Sequence, residues 1–228
     1  MIPFKIIFLS VILVMQGCGT SKEKNQAILA LGDSYTIGES VCETCSFPKI
    51  LSDSLNKISE KEISLKIIAK TGWTTTDLIE VVDNEKLSGN FDLVTLLIGV
   101  NNQYQNKAFS LYEKEFPQLL DKAIGYANGK PEKVLVLSIP DYSYTPFGQK
   151  SGNGEKISLE IQQYNNFAQK IAEKKKVRFE NITPITQEGL NNPDLVAKDG
   201  LHPSGLAYQK FVNQIFPVAK NGLFPEKD

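Results

Sequence analysis

The chain has 228 residues, enough for one domain with a sizeable core. Its 25 lysines and arginines nearly balance 26 acidic residues, for a net charge of −1, so no global field favours nucleic acid or an anionic membrane surface. Apolar residues make up 41%, an ordinary globular share, and beyond the first residues no run is long enough for a membrane span.

The first residues differ from the rest. Lys5 precedes an apolar stretch at 6–15, which closes on Gln16, Gly17 and Cys18. That stretch is short for a membrane span but suits the apolar region of a signal peptide. Gly17-Cys18 after such a run resembles a bacterial lipoprotein processing site. The resemblance implies cleavage before Cys18 and a lipid on its thiol; Gln16, where a small residue is usual, leaves ordinary secretion open. The expected organisation is a signal peptide at 1–17, a polar tether at 18–25 and one domain at 26–228. The expected location is outside the cytoplasm: a membrane-anchored lipoprotein, periplasmic or at the cell surface, or a secreted protein.

Residues 27–31 form a short strand candidate that runs into Gly32-Asp33-Ser34. Ile50, Leu51, Leu55 and Ile58 mark one face of a helix over 47–58. Between the two lie Cys42 and Cys45, spaced as Cys-Glu-Thr-Cys. With one histidine in the chain and no second cysteine pair, a four-ligand zinc site is hard to assemble. After export, a short disulfide or two free thiols are the readings left. The β-branched segment 63–69 is a second strand, and 76–86 a helix with Thr75 or Thr76 as its N-cap. FDLVTLLI, at 91–98, is an almost continuous apolar run, as in a central strand buried on both faces. A helix over 111–127 contains Pro117, expected to kink it or to mark a later start. Residues 133–139 form a fourth strand, 155–175 a long helix, and 177–182 a fifth strand. The last element is a helix over 203–216 with Pro203 at its first position.

This alternation predicts a mostly parallel five-stranded sheet with helices on both faces. In such sheets ligands bind at the carboxyl ends of the strands. Those ends carry Ser34, Thr71-Gly72, residues 99–102 and Pro140-Asp141, and the loop after the last strand carries Asp199 and His202. There is no glycine-rich phosphate loop and no dinucleotide fingerprint, so neither a nucleotide cofactor nor a metal is expected. A serine hydroxyl is a weak nucleophile until a base takes its proton, and His202 is the only histidine available. Asp199, three residues earlier, can fix the ring's tautomer and stabilise the imidazolium that forms. Each residue also has a plainer reading. Ser34 could cap a turn, Gly72 and Gly99 could be turn glycines, Asn101 and Asn102 turn formers, and His202 an incidental cap after an Asp199-Gly200 turn.

LALGDSYT, TGW, LIGVNN and DGLHPS, in that order, resemble the four blocks of the SGNH (GDSL-type) hydrolase superfamily. The resemblance spans residue 27 to about residue 216. It implies a flavodoxin-like three-layer α/β/α fold and hydrolysis of acyl esters through a serine-bound acyl enzyme. Carried over by position, Ser34 is the nucleophile, His202 the general base and acid, and Asp199 its orienting partner. The oxyanion hole is then the backbone N–H of Ser34, the backbone N–H of Gly72 and the side-chain amide of Asn101. The third block usually reads Gly-x-Asn-Asp; here it is Gly99-Val100-Asn101-Asn102, so loop support or substrate contacts are expected to differ.

Tyr35, Trp73 and Tyr104 are candidates to line an acyl or sugar pocket, or simply to pack, and 141–154 is a candidate rim or lid. The expected function is a cofactor-independent serine esterase acting on a small-molecule or carbohydrate ester. It has no nucleic-acid partner and meets the membrane through a lipid on Cys18. A lysophospholipase or thioesterase is the alternative within the same chemistry. A non-catalytic surface lipoprotein that keeps the fold is the alternative from another class.

Overall fold

The structure, a computed structural model, describes residues 25–225 except 86, 88 and 89. The expected signal peptide, the Cys18 lipid site and nearly all of the tether lie outside the described residues. So do the last three residues of the expected domain.

The elements follow one another as β1 (Gln26–Gly32), α1 (Ser34–Ile37), α2 (Phe47–Asn56), β2 (Ile63–Ala69), α3 (Thr75–Asn84) and β3 (Leu93–Leu97). Next come α4 (Val100–Tyr104), α5 (Phe109–Tyr126), β4 (Val134–Leu137), α6 (Pro146–Gln149) and α7 (Gly154–Lys174). The chain closes with β5 (Arg178–Glu180), α8 (Thr183–Gln187) and α9 (Gly205–Leu223). The five strands form one sheet in the order β2-β1-β3-β4-β5, and every pairing is parallel. Helices α2 and α9 pack together against it, while α3, α5 and α7 pack in succession along the other side. The helices on both faces are those that the alternation of elements predicts, and the result is the three-layer α/β/α arrangement that the family resemblance implies.

β3 shows why the apolar run reads as a central strand. All five of its residues are buried: β1 and β4 pair with its two edges, and α5 and α9 pack against it. Truncating one of its leucines to alanine would cost about 2–5 kcal/mol in lost burial and cavity formation. The strand order reverses between β1 and β3, and such a switch point opens a crevice at the carboxyl ends of the two strands.

Three boundaries differ from the sequence expectation. Thr74, rather than Thr75 or Thr76, caps α3. Its hydroxyl accepts from Asp77 N at 3.4 Å and Asp77 Oδ2 accepts from Thr74 N at 2.8 Å, a reciprocal capping box. Helix α9 starts at Gly205 rather than Pro203. Pro203 is held in an antiparallel bridge to Val196, and Ser204 takes the N-cap, accepting from Ala207 N at 3.3 Å. The helix then runs through Pro217 instead of ending before it, just as α5 runs through Pro117. Among the described residues, no helix is long and apolar enough to cross a membrane.

Candidate active site

The turn after β1 is shaped by contact with its neighbours. A Cβ on Gly32 would collide with Thr36 Oγ1 and with the carbonyl oxygen of Leu97 on the adjacent strand, so only glycine lets the chain turn this closely. Asp33 then caps α1 by accepting from Tyr35 N at 3.0 Å. Ser34 falls at the first helical position, where its N–H has no intrahelical partner. Its hydroxyl makes no hydrogen bond among the described residues and lines a cavity of about 300 Å³.

Gly72, after β2, has φ +83°, a left-handed conformation that favours glycine. Nothing lies within 4 Å of where its Cβ would be, so backbone angle rather than crowding calls for glycine here. After β3, Asn101 is buried, and its Nδ2 donates one hydrogen bond to the carbonyl of Trp73 at 2.9 Å. An amide nitrogen carries two N–H groups, so a second donor remains. Ser34, Gly72, Asn101 and His202 all line the same cavity.

Asn102, next to Asn101, is fully buried and takes no part in that lining. Its Oδ1 accepts from Thr75 N at 2.9 Å and its Nδ2 donates to Thr75 Oγ1 at 2.6 Å. Thr75 Oγ1 in turn donates to Glu115 Oε2 at 2.6 Å. Asn102 therefore ties α4 to the start of α3 and supports the loop from behind the cavity lining. An aspartate there would lack the N–H donor and would set a second carboxylate beside the Thr75–Glu115 bond.

Asp199 and His202 sit in a tight loop. Ala197 N donates to His202 O at 2.7 Å and Ser204 N to Leu195 O at 2.9 Å, so the stretch folds back on itself. Asp199 Oδ1 accepts from the backbone N–H of Leu201 at 2.9 Å and of His202 at 3.0 Å. Its Oδ2 lies 2.6 Å from His202 Nδ1 and accepts from Ser40 Oγ at 2.6 Å. Partial burial pushes the Asp199 carboxyl up, but the bonds from Ser40, from His202 and from Leu201 outweigh it and hold it well below the usual carboxylate range. The His202 ring is buried and meets the Tyr35 ring in a T-shaped contact, the centroids 5.7 Å apart. Because α9 starts later than expected, Ser204, and not His202, is the residue at the helix N-cap.

The remaining cavity walls are Tyr35, Thr71, Val100, Tyr104, Tyr142, Phe147 and Leu201. Tyr104 stands at the mouth, 53% exposed, edge-on to Tyr142 at 6.0 Å and tilted against Phe147 at 6.1 Å. Of the aromatic residues singled out in the sequence, Tyr35 and Tyr104 line the cavity. Trp73 does not: its ring packs against the core and its carbonyl holds Asn101. Tyr142 and Phe147 are additions; both come from the 141–154 segment, which forms a wall of the cavity and is pinned by Phe147 N donating to Gly200 O at 2.9 Å. The cysteines of Cys-Glu-Thr-Cys are joined as a Cys42–Cys45 disulfide. Among the described residues, no group of three or more His, Cys, Asp or Glu side chains is gathered to hold a metal ion.

Comparison with known proteins places this geometry in context. The model of the GDSL-like Lipase/Acylhydrolase family matches residues 30–210. Among curated proteins there is no match. Solved structures share the fold at low identity. A lipase/acylhydrolase from Enterococcus faecalis is 20% identical with a TM-score of 0.67, covering 89% of this chain and 100% of its own. The psychrotrophic esterase EstA from Pseudoalteromonas sp., in a structure inhibited by monoethylphosphonate, is 17% identical with a TM-score of 0.61, covering 87% of this chain and 99% of its own. An acetyl xylan esterase from Geobacillus stearothermophilus is 16% identical with a TM-score of 0.64, covering 85% of this chain and 94% of its own.

Proposed function

The chain belongs to the GDSL-like lipase/acylhydrolase family, whose members hydrolyse esters, and we propose that it is a serine esterase working through an acyl enzyme on Ser34. The observation that carries this reading is the convergence of Ser34, Gly72, Asn101 and His202 on one cavity, with Asp199 bonded to the far side of the histidine ring.

With Nδ1 committed to Asp199, Nε2 is the ring nitrogen left to act as base. Ser34 Oγ attacks the ester carbonyl carbon and its proton passes to His202 Nε2. The carbonyl oxygen becomes an oxyanion held by the N–H groups of Ser34 and Gly72 and by Asn101 Nδ2. Each such donor accounts for about 10²–10³ in turnover when it is aimed at the developing charge. The intermediate collapses, the alcohol leaves with the proton from His202, and Ser34 keeps the acyl group. Water then attacks the acyl carbon, giving its proton to His202, and the second collapse returns that proton to Ser34 and releases the acid. Asp199, held well below the usual carboxylate range, stays ionised throughout and stabilises the imidazolium.

A cavity of about 300 Å³ is at the small end for a ligand pocket, which runs from about 300 to 1,000 Å³. Its size favours an acetyl or short acyl group over a long lipid chain. The exposed ring of Tyr104 at the mouth offers a flat face for the alcohol, as a sugar ring would use. The Geobacillus stearothermophilus acetyl xylan esterase, which shares the fold, is in keeping with that choice. We also infer from the sequence that the domain works outside the cytoplasm, tethered through a lipid on Cys18.

A panel of p-nitrophenyl esters of increasing chain length, run beside acetylated sugars, tests the substrate class. Activity highest for acetyl and propionyl esters, and lost in S34A and H202A, is the expected result. Preference for long acyl chains would overturn it in favour of a lipid hydrolase. Metabolic labelling with palmitate, present in the wild type and absent in C18A, tests the tether.

A further inference from the structure

Asp199 Oδ2 receives two hydrogen bonds of equal length, 2.6 Å from His202 Nδ1 and 2.6 Å from Ser40 Oγ. Ser40 comes from the segment that joins α1 to α2, which has no part in the chemistry described so far. It is exposed, and it holds φ +64°, a left-handed conformation that a residue with a side chain seldom adopts. An exposed serine on a loose loop would exchange its partner for water with little loss. This loop is braced on several sides. Cys42–Cys45 cross-links its second half, starting two residues after Ser40, and Cys45 N donates to Cys42 O at 2.8 Å. Cys45 Sγ lies 3.6 Å from where a Cβ on Gly205 would stand, against the first residue of α9. Glu39 accepts a short hydrogen bond from the hydroxyl of Thr71, the residue before Gly72.

We propose that Ser40 is a positioning residue for Asp199, and that the disulfide-linked turn directly after it is the brace that holds its hydroxyl in place. The inference rests on the reading of Ser34, His202 and Asp199 as a triad. With Ser40 in place, the carboxylate oxygens accept four hydrogen bonds: the backbone N–H groups of Leu201 and His202 on Oδ1, and His202 Nδ1 and Ser40 Oγ on Oδ2. The carboxylate is thereby fixed in orientation, and part of its negative charge is drawn away from the imidazole. Removing the Ser40 hydroxyl returns that charge to the Nδ1 bond, stabilises the imidazolium and moves the acid limb of kcat/KM to higher pH. Of the other titratable groups, Tyr35 of α1 and Tyr142 and Asp141 after β4 share a cleft with His202, and Tyr208 of α9 feels the charge of Asp199; Asp33 and Glu39 act on Tyr208 in turn.

The test compares the full-length wild type with S40A, S40G and C42S/C45S. S40A removes the hydroxyl and keeps a side chain at positive φ; S40G removes the hydroxyl and relieves the backbone. Both are expected to lower kcat about tenfold with KM little changed. Both should also move the acid limb of kcat/KM upward by about half a pH unit. C42S/C45S is expected to shift both in the same direction by less, and to add nothing when combined with S40G. Wild-type kcat and pH profile in S40G would overturn the inference, as would a C42S/C45S effect that adds in full to that of S40G. D199N separates the two levels. If D199N is inactive while S40G matches the wild type, only the role of Ser40 fails; if D199N keeps wild-type turnover, the triad reading fails and the role of Ser40 falls with it.

Discussion

His202 Nδ1 lies 2.6 Å from Asp199 Oδ2, and this bond selects the ring nitrogen left for chemistry. A carboxylate can only accept, so Nδ1 must carry the proton and Nε2 is free to take another. Asparagine in place of Asp199 can instead donate to Nδ1 and favour the opposite tautomer. D199N is therefore expected to lose about 10²–10⁴ in kcat/KM while keeping its fold, with kcat/KM measured on a p-nitrophenyl ester and folding followed by circular dichroism.

Asn101 spends one N–H on the carbonyl of Trp73, which anchors a side chain that lines the cavity and keeps a second N–H to donate. N101A is expected to lose about 10²–10³ in kcat with a small change in KM, because the bond it removes forms mainly in the transition state. A rise in KM with unchanged kcat would assign Asn101 to ground-state binding instead.

Asn102 offers a different prediction, one of stability. Its amide donates to Thr75 Oγ1, which donates onward to Glu115. N102D turns the donor into an acceptor and places two carboxylates around one hydroxyl. We expect a loss of about 1–3 kcal/mol by urea denaturation, with pairing to E115Q restoring part of it. The two substitutions adding independently would show that no chain of bonds links them.

Asp33 predicts a pH effect on stability. It is fully buried, and Oδ2 has no partner among the described residues. Burial pushes its carboxyl up from 3.8 to about 7, against the pull of the Tyr35 N–H and its own amide. The folded protein therefore holds this proton more tightly than the unfolded chain. Its contribution is fully present below the unfolded value and is lost as pH rises through about 7, a swing of roughly 3–5 kcal/mol. D33N does not titrate, so the difference in Tm between D33N and wild type should climb from pH 4 to pH 8. A flat difference would show that Asp33 ionises freely in the fold.

The parts legible in the sequence are those set by local pattern. FDLVTLLI announces a strand buried on both faces, and β3 is that strand. Strand ends at Ser34, Gly72 and Asn101 could be placed on one edge because parallel βαβ units put all carboxyl ends together, and the cavity there includes all three. What was not legible depends on partners distant in sequence. The cap of α3 is a partial exception: the sequence pattern favours Thr75 or Thr76, whereas Thr74 pairs locally with Asp77, and Thr75 is held by Asn102, 27 residues on. Pro203 reads as a first helical residue until its bridge to Val196 is seen. Ser40 carries no local signal beyond its place two residues before Cys42, because its partner lies 159 residues away. Tyr142 and Phe147 are likewise ordinary aromatics in the sequence, and only the return of their segment over Gly200 makes them cavity walls.

Ser34 as the nucleophile is tested most directly by exposing the folded, full-length protein to a fluorophosphonate and mapping the adduct by mass spectrometry. One phosphonyl group on Ser34, absent in S34A and formed far more slowly in H202A, is the predicted result. A folded protein that hydrolyses esters yet takes no label on Ser34, or takes it on another residue, would contradict the assignment.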